Sequence, residues 1–204
     1  MLPDVGNAAR PYDDAVMSTP RSICVFCGSS TRVASTYLQL ARDLGTHLAQ
    51  AGHTLVWGGG SVGLMGALAT SVQQQGGRVV GVIPAFMADT EVAYRHADEL
   101  IVTPDMRQRK TIMEQRADAF IVLPGGIGTL EEMFEILTLR LLKQHTKPLL
   151  LINHAGFYDN LLNFMEHLYH ERFAREHSRA HYQVVPDPAA AVRALAAPPA
   201  PVCG

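Results

Sequence analysis

The stretch Ala119-Phe120-Ile121-Val122-Leu123-Pro124-Gly125-Gly126-Ile127-Gly128-Thr129-Leu130-Glu131-Glu132 decides the fold. An apolar run, a glycine turn and the start of an amphipathic segment follow one another without a gap. That order describes a strand entering a helix through a βα turn, which presents backbone N–H groups to an anion. Glu132 stands about one turn into the new helix, close to whatever the anion is attached to. The stretch reads as the floor of a nucleotide site with Glu132 as its catalytic group.

The same grammar repeats on both sides. A strand over 23–27 runs into Gly28-Ser29-Ser30-Thr31, and a helix from Ser35 carries Leu40, Leu44 and Leu48 before Gly52 stops it. A strand over 54–57 meets Gly58-Gly59-Gly60-Ser61-Val62-Gly63-Leu64-Met65-Gly66, which opens a helix ending near Gly76 and Gly77. A third strand over 78–83 ends at Pro84, and residues 85–98 read as a loop or lid. A fourth strand over 99–102 precedes a helix that Asp105 can cap and that runs through Arg116. After the opening motif come a helix over 130–143, a strand over 148–152, a helix over 158–170, a short strand over 183–185 and a helix over 188–196.

Strands that are apolar throughout, alternating with helices, imply a parallel sheet covered on both faces. The expectation is an α/β protein, a single-domain, Rossmann-like, doubly wound parallel sheet over residues 21–196. The arm at 1–20 and the Ala/Pro tail at 197–204 read as disordered. Ligands of such sheets bind beyond the carboxyl ends of the strands, where the turns at Gly28, Gly58 and Gly125 can converge.

Composition narrows the class. The 204 residues are 48% hydrophobic and 18% charged, which suits a folded domain with a sizeable core. A net charge of -2 gives no footprint for nucleic acid or an anionic membrane and favours a small-molecule ligand. The first twenty residues lack the apolar core of a signal peptide, and no run approaches the roughly 18 apolar residues of a membrane span. The expected location is cytoplasmic.

Of three cysteines, Cys24 and Cys27 form a C-x-x-C pattern within a strand, where that spacing points the side chains to opposite faces. They read as buried thiols in a reducing compartment, and Cys203 lies in the tail. Nine histidines include His167, His170, His177 and His181 close together, but without H-E-x-x-H they read as members of a solvated face and not as metal ligands.

The turns exclude a P-loop and argue against a dinucleotide site. There is no G-x-x-x-x-G-K-[ST], and Gly58-Gly59-Gly60 lacks the dinucleotide spacing and its acidic ribose ligand. Several donor-rich turns favour a mononucleotide. In the helix after Thr129, Leu130, Met133, Phe134, Leu137 and Leu141 make one stripe at about 100° per residue. Glu131, Glu135 and Thr138 share a polar face, while Glu132 lies between Ile136 and Leu139 on a second apolar face. Glu132 could serve only to favour the helix dipole, but burial would demand a partner. Arg109, three after Met106 and three or four before Ile112 and Met113, lies on an inward face and can supply it. The plain alternative is a structural Arg109–Glu132 ion pair.

Met106-Arg107-Gln108-Arg109-Lys110, followed by Pro124-Gly125-Gly126-Ile127-Gly128-Thr129-Leu130-Glu131-Glu132, resembles the Lonely Guy (LOG) family of cytokinin riboside 5'-monophosphate phosphoribohydrolases, often mislabelled lysine decarboxylases. Every fixed position of P-G-G-x-G-T-x-x-E and of M-x-x-R-K is present. The turns at Cys27-Gly28-Ser29-Ser30 and Gly58-Gly59-Gly60 also resemble the family, and the likeness runs over about 23–185. The resemblance implies hydrolysis of the N-glycosidic bond of an adenine-type nucleoside 5'-monophosphate to free base and ribose 5-phosphate, with no cofactor. It implies Arg109 and Glu132 as catalytic residues. Substrate contacts implied with them are Ser29, Gly59, Gly60, Lys110, Gly125, Gly126, Ile127, Gly128, Thr129, Leu130 and Glu131. Glu91 best matches the family's base-contacting acid, and Thr138 falls where the family has a ligand-contacting threonine. A homodimer or larger homo-oligomer, with sites near the subunit interface, is implied as well.

Two other readings compete. A non-catalytic nucleotide- or molybdenum-cofactor-binding carrier of the same fold also has a G-G-x-G-T turn, but has no need of the arginine in the Met106 element. A decarboxylase would need a lysine in a pyridoxal phosphate setting, and none is recognisable.

Overall fold

Residues 19–88 and 93–196 are described in the computed structural model. Short apolar runs rich in Val, Ile and Leu form seven strands. These are β1 (Ser22–Phe26), β2 (Thr54–Trp57), β3 (Val79–Pro84), β4 (Glu99–Thr103), β5 (Ala119–Val122), β6 (Leu149–Ile152) and β7 (Gln183–Val185). The helices between them are α1 (Ser35–Gln50), α2 (Gly63–Gln74), α3 (Ala85–Ala88), α4 (Met106–Arg116), α5 (Ile127–Leu141), α6 (Asp159–His170) and α7 (Pro188–Ala196). The strands form one sheet in the order β4-β3-β2-β1-β5-β6-β7, and all six pairings are parallel.

Alternation along each strand divides the core into two layers. Ile23 and Val25 of β1, with Leu55 and Trp57 of β2, face α1, α2 and α7. The four-residue spacing of Leu40, Leu44 and Leu48 places all three on the buried side of α1. Cys24 and Phe26, with Val56, Val82, Phe120 and Val122, face α4, α5 and α6 through Met113, Met133, Ile136 and Met165. Cys24 and Cys27 are therefore free thiols in opposite layers, as their spacing required.

Strand order reverses beside β1. The chain moves outward through β2, β3 and β4, then returns to add β5, β6 and β7 on the other side. The ends of β1 and β5 therefore diverge into a crevice, the place where this sheet type takes its ligand. The Gly28 N–H donates to the Pro124 carbonyl at 3.1 Å and ties the two turns together.

Several boundaries differ from the sequence reading. Helix α5 begins at Ile127, three residues earlier than expected, because Gly126 is already an extended N-cap and the motif's glycines belong to the first turn. The stretch read as a loop after β3 begins with the single turn of α3. Its far end is anchored, since Tyr94 N–H donates to Gly59 O at 2.8 Å and Ala93 bridges Gly60. Two 3-10 turns, His154–Gly156 and Glu176–His181, had no expected counterpart. The second turn buries His181 at 5% exposure, which corrects its placement on a solvated face. Most of the 1–20 arm, the 197–204 tail and Glu91 lie outside the described residues.

Candidate active site

Helix α4 starts where Asp105 accepts a hydrogen bond from the Gln108 N–H at 2.8 Å. That start sets the register that turns Arg109 inward, to 7% exposure, while Arg107 stays exposed. Its Nε donates to Val82 O of β3 at 3.1 Å, and Nη1 donates to Glu132 Oε1 of α5 at 2.7 Å. A Cβ on Gly58, at the end of β2, would collide with Nη2. Three elements thus fix one guanidinium.

Glu132 is 9% exposed. Burial lifts its pKa above the usual carboxylate range; the Arg109 guanidinium pulls the other way without cancelling the rise. Glu131 adds to the rise and Lys110 opposes it. Removing two charges from water is expensive, so a buried pair is a poor device for stability alone. A perturbed carboxylate in a cleft points to chemistry instead. The neighbouring Cys27 thiol is pushed well up by burial and then by Glu132, so it stays protonated and is no nucleophile.

A cavity of about 270 Å³ lies between α4 and α5, lined by Phe26, Lys110, Thr111, Glu132, Ile136 and Leu139. At its rim Lys110 pairs with Glu131 and, at 2.7 Å, with Glu135. A second cavity of about 320 Å³ occupies the crevice between the β1 and β5 turns. Ser29, Ser30, Tyr37, Gly125, Gly126 and Phe157 line it. The start of α5 beside it has no side-chain cap, and Gly126, Ile127 and Gly128 are exposed. A helix start left open in this way suits an anion. Thr129 is buried, folded over Gly125 where any Cβ would strike it.

The expected site residues therefore fall into groups. Arg109, Glu132, Lys110 and Glu131 meet between α4 and α5; Ser29, Gly125 and Gly126 meet in the crevice. Gly59 and Gly60 are buried, their carbonyls accepting from Tyr94 N–H and Trp57 Nε1. Leu130 packs against the α4–α6 layer. Thr138 is exposed on the outer side of α5, away from the ion pair. Sequence reasoning missed Phe157, which lines the crevice from the corner before α6, and Tyr158, buried next to it. The only signal was their position at an expected helix start. Among the described residues, no group of three or more His, Cys, Asp or Glu could hold a metal ion.

A family model described as possible lysine decarboxylase matches residues 65–195. A cytokinin riboside 5'-monophosphate phosphoribohydrolase from Rhodococcoides fascians is 44% identical over 195 residues, which is 95% of this chain and 95% of that protein. The protein of the same name from Mycobacterium tuberculosis is 48% identical over 140 residues, 69% of this chain and 74% of that one. Among solved structures, the molybdenum cofactor binding protein from Rippkaea orientalis aligns with a TM-score of 0.67. It is 23% identical and the match covers 87% of this chain and 96% of that one, a likeness of fold.

Proposed function

This chain belongs to the Lonely Guy (LOG) family, and we propose that it hydrolyses the N-glycosidic bond of adenine-type nucleoside 5'-monophosphates to free base and ribose 5-phosphate. The observation that carries the reading is the 2.7 Å contact of Arg109 with Glu132, buried on the same helix whose open start faces the crevice. Relatives about 44% identical across most of the chain are named for this reaction.

The 5'-phosphate takes the crevice, against the first turn of α5 and the Ser29 turn. The C1'–N bond then breaks with its electron pair leaving on the base, and positive charge builds on the ribose as in glycoside hydrolysis. The Glu132 carboxylate stabilises that charge and takes a proton from the attacking water, whose oxygen bonds to C1'. The proton returns to the departing base. Arg109 holds Oε1, so the other carboxylate oxygen is the one that meets the water, and the guanidinium polarises the leaving base. Lys110 and Glu131 border this space, and Glu91 and Thr138 remain as proposed substrate contacts. No described helix is long and apolar enough to cross a membrane; a cytoplasmic location belongs to this reading. So does a homo-oligomer joined through the outer side of α5, where Phe134, Leu141 and Leu142 are exposed.

Purified protein incubated with AMP and with its N6-isopentenyl derivative should release base and ribose 5-phosphate in equal amounts. Retention of about one nucleotide per chain with no base released would replace this reading with the carrier.

A further inference from the structure

The turn between β5 and α5 is held by a side chain that neither motif contains. The Tyr158 hydroxyl donates to Leu123 O at 2.7 Å. The phenol therefore holds the peptide unit that leads into Pro124, a residue with no N–H of its own to anchor the turn. The neighbouring bonds complete the clamp: Leu123 N–H donates to Phe26 O at 2.9 Å, and Gly28 N–H to Pro124 O at 3.1 Å.

The chain builds this phenol into place with some care. After β6, Ala155 and Gly156 adopt φ of 50° and 72° and swing the backbone inward. Asn153 Oδ1 accepts the Tyr158 N–H at 2.8 Å, while its Nδ2 donates to Asp159 Oδ1 at 2.7 Å. The Phe157 ring stands edge-on to Tyr158 with centroids 4.8 Å apart. Tyr158 itself is 2% exposed, buried against the turn and not open to a ligand.

We infer that Tyr158 is a positioning residue for the anion cradle, fixing the direction in which the 126–128 amides point and thereby setting the affinity for the 5'-phosphate. It touches neither the glycosidic bond nor the Arg109–Glu132 pair. Because a phosphate contact is equally strong before and during bond cleavage, weakening it raises KM and leaves kcat alone. The inference rests on the hydrolase reading for its kinetic form, but the cradle can be tested without turnover.

The experiment compares wild type, Tyr158→Phe and Tyr169→Phe. Tyr169 is a second buried tyrosine, at the far end of α6, and controls for loss of a buried hydroxyl alone. With AMP, Tyr158→Phe should raise KM about tenfold with kcat within about twofold of wild type, while Tyr169→Phe leaves KM unchanged. In melting curves titrated with inorganic phosphate, the half-saturating concentration should rise by a similar factor in Tyr158→Phe only. An unchanged KM beside an active wild type overturns the inference and leaves the hydrolase standing; so does a fall in kcat at constant KM. If wild type releases no base, the hydrolase reading fails, and the phosphate titration alone decides: equal half-saturation in wild type and Tyr158→Phe overturns the role assigned to Tyr158.

Discussion

Gly58 has no side chain because the Arg109 guanidinium fills the space that a Cβ would need. Gly58→Ala should therefore push Arg109 off Val82 O and Glu132 Oε1, and a misplacement of that size costs about 100-fold in rate. Steady-state base release checks it, and a rate equal to wild type would mean that the arginine's position is immaterial. Glu132 gives a second test at this scale. Its folded pKa is raised, first by burial, so between the ordinary carboxylate value and the raised one the folded chain binds more protons than the unfolded chain. Stability contributed by Glu132 therefore falls as pH rises through that window, while activity rises as the carboxylate ionises. The acid limb of the kcat profile should lie above the usual glutamate value of about 4.3, and a limb at or below that value would contradict the assignment. The inward turn of Arg109 was legible from its spacing to Met106, Ile112 and Met113. The pairing of Lys110 with Glu131 and Glu135 was not, because it joins two helices whose relative placement no local pattern encodes.

Helix α5 shows where periodicity stops being sufficient. Its sequence is apolar on more than one side, so spacing alone gave a stripe of Leu130, Met133, Phe134, Leu137 and Leu141. The structure buries Met133, Ile136 and Leu137 together with Thr129, Glu132 and Arg140, and leaves Phe134 and Leu141 at 37% and 36% exposure. The sheet chose among the faces, and it chose the one carrying Glu132. Exposed apolar residues at that density on one helix mark an interaction surface, here proposed as the contact between copies. Leu142 is 63% exposed, so Leu142→Asp disturbs no core. It should shift the light-scattering mass of the protein to that of the single chain at micromolar concentration, with far-ultraviolet circular dichroism unchanged. A mass identical to wild type would remove the outer side of α5 from the interface. The corner before α6 was illegible for a different reason: the left-handed φ at Ala155, a residue that rarely adopts it, gives no compositional cue.

At the scale of the whole molecule, the reversal of strand order beside β1 brings residues distant in sequence to one place. Alternating apolar strands and helices announced the parallel sheet, and βα turns ending in glycine marked the edge proposed here for the ligand. The sheet then delivers the Gly28 turn, the Gly58 turn, α4 and α5 to that edge, as the strand-order rule requires. What the alternation left open was the path of segments without strong periodicity. The 3-10 turn Glu176–His181 folds back toward α5 and buries a histidine that composition had placed in solvent. In the function proposed here, the buried pair between α4 and α5 does chemistry rather than hold the helices together. Base release from AMP at saturating concentration by Glu132→Gln, set beside wild type, tests it most directly. The amide keeps the size of the side chain and can still accept from Arg109, but it cannot carry the charge or take the proton. Glu132→Gln should lose at least about 100-fold in kcat with the nucleotide still bound; release of base at the wild-type rate would contradict a chemical role for the pair.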